Sequence, residues 1–210
     1  AMKNYVDVEG SGQDITTITC DCGTNFDASG AVISAGAINA EIRHLTINNT
    51  GTSTDGSIGL WTDSVVNGSF SMLHVTATAT DTGGLANYGV VNHTSSSPMM
   101  NNVTATATGA NGNYGVYNTS SSSPTMNNVT ATATGGLNGY GVYNLSSSSP
   151  MMNNVTATAT GGSGENFGVY NSGGSPTMNN VTATATGGAD SRGVYNSSSS
   201  PTMNNVTATA

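Results

Sequence analysis

A block of about 26 residues repeats down this chain, and its internal spacing leaves few folds open. The segment Pro-Thr-Met-Asn-Asn-Val-Thr-Ala-Thr-Ala recurs with small variation, its Pro at 98, 124, 150, 176 and 201. The Val of this block falls at 75, 103, 129, 155, 181 and 206, in steps of 28, 26, 26, 26 and 25. A second block, Gly-Val-Tyr-Asn, begins at Gly115, Gly141, Gly168 and Gly193, and reads Gly-Val-Val-Asn from Gly89. Pro to Val is always five residues, Val to the last Thr five, and Gly to Asn three. All variation lies in two connectors, of 9, 7, 7, 8 and 7 residues from the last Thr to Gly and 6, 6, 6, 5 and 5 from Asn to Pro. Fixed segments with elastic Gly/Ser-rich joints are what strands and surface turns produce, because one residue inserted in a strand flips its side chains to the other face.

The same frame extends into the irregular first third. Ile15–Cys22 and Ile42–Asn49 fit the Met-Asn-Asn-Val-Thr-Ala-Thr-Ala template, with Ile18 and Leu45 at the Val position, while Val6, Val32 and Leu60 fit the Val of Gly-Val-Tyr-Asn. The chain therefore reads as an all-β, parallel β-helix solenoid of about eight coils of 25–30 residues, three short strands to a coil. Residues 1–72 form irregular N-terminal coils and 73–210 regular 26-residue repeats of one domain. Since 26 is twice 13, a narrow solenoid with two coils per repeat competes, though such coils could hardly enclose Met, Tyr and Val. Alternation assigns faces. In 103–108, Val103, Ala105 and Ala107 point inward and the threonines outward; in 114–118, Tyr114, Val116 and Asn118 point inward and Tyr117 outward. Met100, Met126, Met152, Met178 and Met203 join the interior, and stacked coils share a core that no coil could build alone.

Tyr114-Gly-Val-Tyr-Asn118, the Ser-rich turn and Met126-Asn-Asn-Val129 carry a resemblance to the right-handed parallel β-helix of pectin-lyase-like proteins, over essentially the whole chain. The resemblance implies a turn ladder of asparagines at Asn102, Asn128, Asn154, Asn180 and Asn205, each amide bonded to its equivalents above and below. It also raises polysaccharide hydrolysis or lysis, which needs paired carboxylates or a Lys or Arg base. Residues 82–210 hold only Glu165, Asp190 and Arg192 as charges, near the elastic turns, and Asp7, Glu9, Asp14, Asp21, Asp27, Glu41, Asp55 and Asp63 form no adjacent pair. No catalytic residue of that family has a matching position, so we expect no enzyme and no cofactor. His44 and His74 precede the key apolar residue of successive coils and read as the start of the asparagine column rather than a metal pair; His93 is a lone turn residue. Cys20 and Cys22, at i and i+2 of a strand, point the same way and read as free, buried thiols. The sequons at the ladder asparagines read as by-products of repetition, their side chains inward.

Charge narrows the partners. Three Lys+Arg against 11 Asp+Glu give a net charge of −8, which cannot neutralise a phosphate backbone, so nucleic acid is excluded. No apolar run approaches the length of a membrane span and no basic amphipathic surface is present, so no membrane insertion is expected. Ala1-Met2 and the break in mid-pattern at residue 210 read as the edges of an excerpt from a longer secreted or cell-surface protein.

Two surface columns remain. Thr76, Thr78 and Thr80; Thr104, Thr106 and Thr108; Thr130, Thr132 and Thr134; Thr156, Thr158 and Thr160; Thr182, Thr184 and Thr186; and Thr207 with Thr209 form three ranks on one sheet. Coils about 4.8 Å apart and alternate residues about 6.7 Å apart make a flat, uncharged grid of methyls and hydroxyls. This resembles the Thr-Xaa-Thr arrays of β-solenoid antifreeze proteins and implies ice or ordered water as the partner. Thr is also simply a soluble β-former, and repeats copy what they start with. The second column, Trp61, Val91, Tyr117, Tyr143, Tyr170 and Tyr195, offers rings at strand spacing and suggests the alternative: a surface adhesin or stalk that contacts glycans.

Overall fold

The computed structural model describes residues 1–22, 25–51 and 54–210. It is an all-β parallel solenoid of about seven turns, with a single short 3-10 helix at Ala28–Gly30 among the described residues. Each 26-residue repeat makes one coil, because equivalent residues of consecutive repeats are hydrogen-bonded neighbours: Thr104 pairs with Thr130 and Thr130 with Thr156. The thirteen-residue coil is thereby set aside.

The strands gather in two parallel sheets. One contains Ala40–Asn49, Phe70–Thr80, Met99–Thr108, Thr125–Asn127 with Thr130–Thr134, Met151–Thr160, Thr177–Thr186 and Thr202–Thr209. The other contains Ala31–Ala35, Gly56–Asp63, Ala86–His93, Gly112–Asn118, Asn138–Asn144, Glu165–Ser172 and Asp190–Ser197. The expected first and second strands of a coil are thus two arms of one bent strand. The bend is a single left-handed residue, His44, His74, Asn102, Asn128, Asn154, Asn180 or Asn205, with φ between 50° and 55°. Asn and His tolerate that region better than other side chains do, and one such residue turns the chain while both arms keep their ladders.

The same conformation explains the elastic joint. Six-residue Asn-to-Pro connectors carry two consecutive left-handed residues, Thr94/Ser95, Ser120/Ser121 and Ser146/Ser147. The five-residue connectors carry one, Gly173 or Ser198. Below the turns, the buried Ser122 and Ser148 hydroxyls accept the backbone N–H of Ser96 and Ser122.

The wide end of the cross-section is filled by Met100, Met126, Met152 and Met178 with Val103, Val129, Val155 and Val181, all at most 1% exposed. Met203, in the last coil, is exposed. An asparagine ladder lines this interior. The Nδ2 of Asn92, Asn118, Asn144 and Asn171 donates to the Oδ1 of Asn118, Asn144, Asn171 and Asn196 at 2.7–2.8 Å. Asn144→Ala strands the Asn118 donor and the Asn171 acceptor in an apolar interior, at roughly 1–3 kcal/mol each. Chemical denaturation should show a midpoint well below that of Ser149→Ala, which removes a partly buried hydroxyl outside that ladder.

Several sequence expectations shift at the first coils. Val6 is 52% exposed and belongs to no strand, and the residue in register with Leu60 is Ile33, not Val32. Ile18 pairs with Ile47 rather than Leu45, because residues 10–16 loop out between Val8–Glu9 and Thr17–Cys20 where later coils have one bend residue. The two-residue slip preserves the inward face, so hydrophobicity alone could not reveal it. Cys20 and Cys22 form a disulfide instead of remaining free. The strand ends at Cys20, and the Cα atoms lie 5.2 Å apart, closer than the strand geometry assumed from sequence.

Candidate functional site

Two outer faces stand back to back. On the first, Thr76, Thr78 and Thr80 pair in register with Thr104, Thr106 and Thr108. Thr130, Thr132 and Thr134 follow, then Thr156, Thr158 and Thr160, then Thr182, Thr184 and Thr186, then Thr207 and Thr209 in the last coil. The intervening Ala residues from Ala77 to Ala185 are fully buried, which fixes the threonines on the surface. Among the described residues, Thr78 is the one threonine of these ranks with a side-chain partner in the protein, donating to Asn48 Oδ1 at 2.7 Å, where the middle rank runs into the first coils. Among the described residues, the hydroxyls of Thr104 to Thr186 in these ranks take no protein partner, so their hydrogen bonds go to water.

Beneath this grid the two sheets almost touch. A Cβ built on Gly115 would stand 2.6 Å from Thr132 N, and one on Gly141 2.6 Å from Thr158 N. The backbone of the middle threonine rank therefore rests on a column of glycines, with no side chain between.

The second face differs from expectation. Gly115 and Val116 both turn inward, so alternation breaks and Tyr114, three residues before Tyr117, shares its outer face. Buried Asn113 takes the interior place assigned to Tyr114. The result is two aromatic columns. Trp61, Val91, Tyr117, Tyr143, Tyr170 and Tyr195 form the expected one; Ile58, Tyr88, Tyr114, Tyr140, Phe167 and Arg192 form a second that alternation missed. Its sequence signal is the Gly-Val doublet flanked by Tyr on both sides. Tyr88, Tyr114 and Tyr140 stack nearly parallel, centroids 4.8 and 5.0 Å apart. Phe26 crosses the first coils edge-on to Trp61 at 5.2 Å, and Val91 packs in a cluster with Ile58 and Trp61 beneath Tyr88 and Tyr117, so Trp61 and Val91 are covered, at 4% and 0% exposure. These two positions of the expected column are closed to any ligand.

Burial among other rings raises the Tyr114 phenol from 10.0 to about 12. Between those values an unfolded chain releases the proton and the folded one keeps it, so this contribution to stability is complete below pH ~10 and is lost as pH rises towards 12. We expect phenolate absorbance to lag behind that of free tyrosine and to rise together with unfolding. Tyr114→Phe should narrow that alkaline loss.

The bend column is a ladder, as the sequence suggested. Asn128 Nδ2 donates to Asn102 Oδ1 at 3.2 Å, Asn154 to Asn128 at 3.1 Å, Asn180 to Asn154 at 3.2 Å and Asn205 to Asn180 at 2.7 Å. His74 Nε2 meets Asn102 Nδ2 at 3.2 Å, and His44 stacks on His74 at 5.1 Å. These asparagines are exposed, however, not inward: the left-handed bend throws their side chains to solvent, and a second ladder, Asn101, Asn127, Asn153, Asn179 and Asn204, runs beside them.

The acids are also less scattered than the sequence implies. Glu9 and Glu41, 32 positions apart, both bind Arg43, at 3.0 and 2.7 Å. Among the described residues no group of three or more His, Cys, Asp or Glu could hold a metal ion. Among the described residues no helix is long and apolar enough to cross a membrane.

No family model, curated protein or solved structure matches this chain.

Proposed function

We propose that this chain is a non-catalytic, extracellular β-helix of the pectin-lyase-like kind whose threonine face adsorbs to ice. What carries the reading is the register: three outward threonine ranks, uninterrupted by a charged side chain, run through five consecutive coils and two continue into the last. Ordered water on such a grid is held by hydroxyls at fixed spacing and excluded at the methyls between them, and a layer so arranged can merge with a growing crystal face. The glycine seam backs the grid with rigid backbone, so that water meets a preformed surface. No cofactor enters.

Growing ice from a dilute solution of the fluorescently labelled protein tests this directly. Incorporation of the label into the ice, and thermal hysteresis in the same solution, are the expected results. Exclusion of the label to the same degree as a control protein of equal size removes the proposal.

A further inference from the structure

We propose that the half-exposed rings Tyr143, Tyr170 and Tyr195, where the aromatic face crosses Asn138–Asn144, Glu165–Ser172 and Asp190–Ser197 above the covered Tyr140 and Phe167, bind a linear neutral polysaccharide lying along the solenoid axis. Three observations converge on this strip and on no other part of the repeats.

The first is where the charges fall. Residues 82–210 contain three charged side chains, Glu165, Asp190 and Arg192. All three border the aromatic columns in adjacent coils: Glu165 is in register with Asp190, and Phe167 with Arg192. Tyr140 donates its phenol hydrogen to Glu165 Oε2 at 3.2 Å. Arg192 binds Asp190 through Nε and a terminal nitrogen at 2.9 and 2.8 Å, with its guanidinium 4.4 Å from the centroid of Tyr195. An exposed ion pair of this kind adds little stability, so folding alone does not account for the cluster.

The second is that the ring stack breaks at the same place. Tyr88, Tyr114 and Tyr140 lie within 9° of parallel and occupy one another's faces. The next ring of that column, Phe167, tilts 46° to Tyr140, and in the neighbouring column the half-exposed Tyr170 stands at 90° to Tyr143 and 82° to Tyr140. A ring in that attitude can pack against the C–H face of a pyranose, while the flanking carboxylates accept, and the guanidinium donates, hydrogen bonds to sugar hydroxyls.

The third is the sign of the charge. Two carboxylates at the edge and a net charge of −8 repel uronates, which selects neutral sugars over pectic or alginate-like chains. Columns that repeat at every coil favour a polymer with a regular repeat over a single small sugar.

The site is on the face opposite the threonines and stands independently of the ice reading. Isothermal titration of the intact chain with cellohexaose, laminarihexaose, xylohexaose and mannohexaose, with oligogalacturonate as the anionic counterpart, tests it. At least one neutral oligosaccharide should bind and oligogalacturonate should not. Tyr170→Ala and Glu165→Gln should each weaken binding about tenfold, Tyr170→Phe should retain it, and Thr158→Tyr should bind like the parent. Should Tyr170→Ala fail to fold, Glu165→Gln, at an exposed edge, decides. Binding by none of the four neutral probes, preference for the anionic one, or undiminished binding by a folded Tyr170→Ala or by Glu165→Gln overturns the proposal.

Discussion

Replacing both Thr132 and Thr158 by Tyr is expected to abolish thermal hysteresis and ice shaping while the solenoid stays folded. The two residues are register partners in the middle rank, with threonine ranks on either side, so the substitution strikes the centre of the grid. Two phenol rings would stand above neighbouring hydroxyls and methyls and displace the water layer over at least three coils. The fold has little reason to respond. Both side chains point outward, Tyr is a good strand residue, and surface substitutions generally stay within about 0.5 kcal/mol. Unchanged thermal melting together with lost hysteresis is therefore the paired result that identifies the threonine face. Hysteresis that survives in the folded double variant eliminates that face. Thr132→Ser with Thr158→Ser separates two contributions, since it keeps the hydroxyls and removes the methyls; a partial loss is expected if both hold the water layer.

How much of this was legible in the sequence depends on what the repeat encodes. Constant segment lengths and Val/Ala/Thr alternation are local properties, and they fixed the coil length, the inward Met, Val and Ala, and the outward threonine ranks that the register bears out. The bend ladder was legible for the same reason: a side chain recurring at every coil must meet its copies. What alternation could not express was its own interruption. Gly115 and Val116 both turn inward, and this moves Tyr114 from the presumed core to the outer face, where Tyr140 and Phe167 continue its column. Similarly, a left-handed φ at Asn102 sends the ladder outward, although its neighbours Met100 and Val103 are buried. Both errors arise where one residue leaves extended geometry, which composition and period do not record.

The first coils show the opposite limit. Without a copied block, the reading there rested on apolar spacing, which is degenerate to shifts of two residues, and Ile18 was matched to Leu45 when it pairs with Ile47. Long-range partners such as Glu9 and Glu41 around Arg43, or Phe26 over Trp61, depend on which strands stack and have no short-range signal.

The glycine seam yields the largest expected effect on stability. A Cβ at Gly141 would lie 2.6 Å from Gly168 O, 2.6 Å from Thr158 N and 2.9 Å from Ala157 C, all backbone atoms of neighbouring strands. No flexible side chain can yield, so the sheets must part. Gly141→Ala is expected to cost about 3 kcal/mol, the upper end for overpacking, and Gly141→Val to prevent that part of the solenoid from closing. Gly135 provides the contrast. Its φ is 78° and an added Cβ meets nothing within 4 Å, so Gly135→Ala should cost only the left-handed penalty of about 1–2 kcal/mol. Because coils contact only their neighbours, hydrogen exchange in Gly141→Ala should accelerate first in the strands around 131–133, 157–159 and 167–169 and least at the distant coils. Slow exchange there, with an unchanged denaturation midpoint, would mean that the sheets are not in backbone contact. The displaced atom in this variant is the main-chain nitrogen of Thr158. A folded Gly141→Ala protein should therefore also lose ice affinity although every threonine remains, which separates the flatness of the grid from its composition as the property that matters.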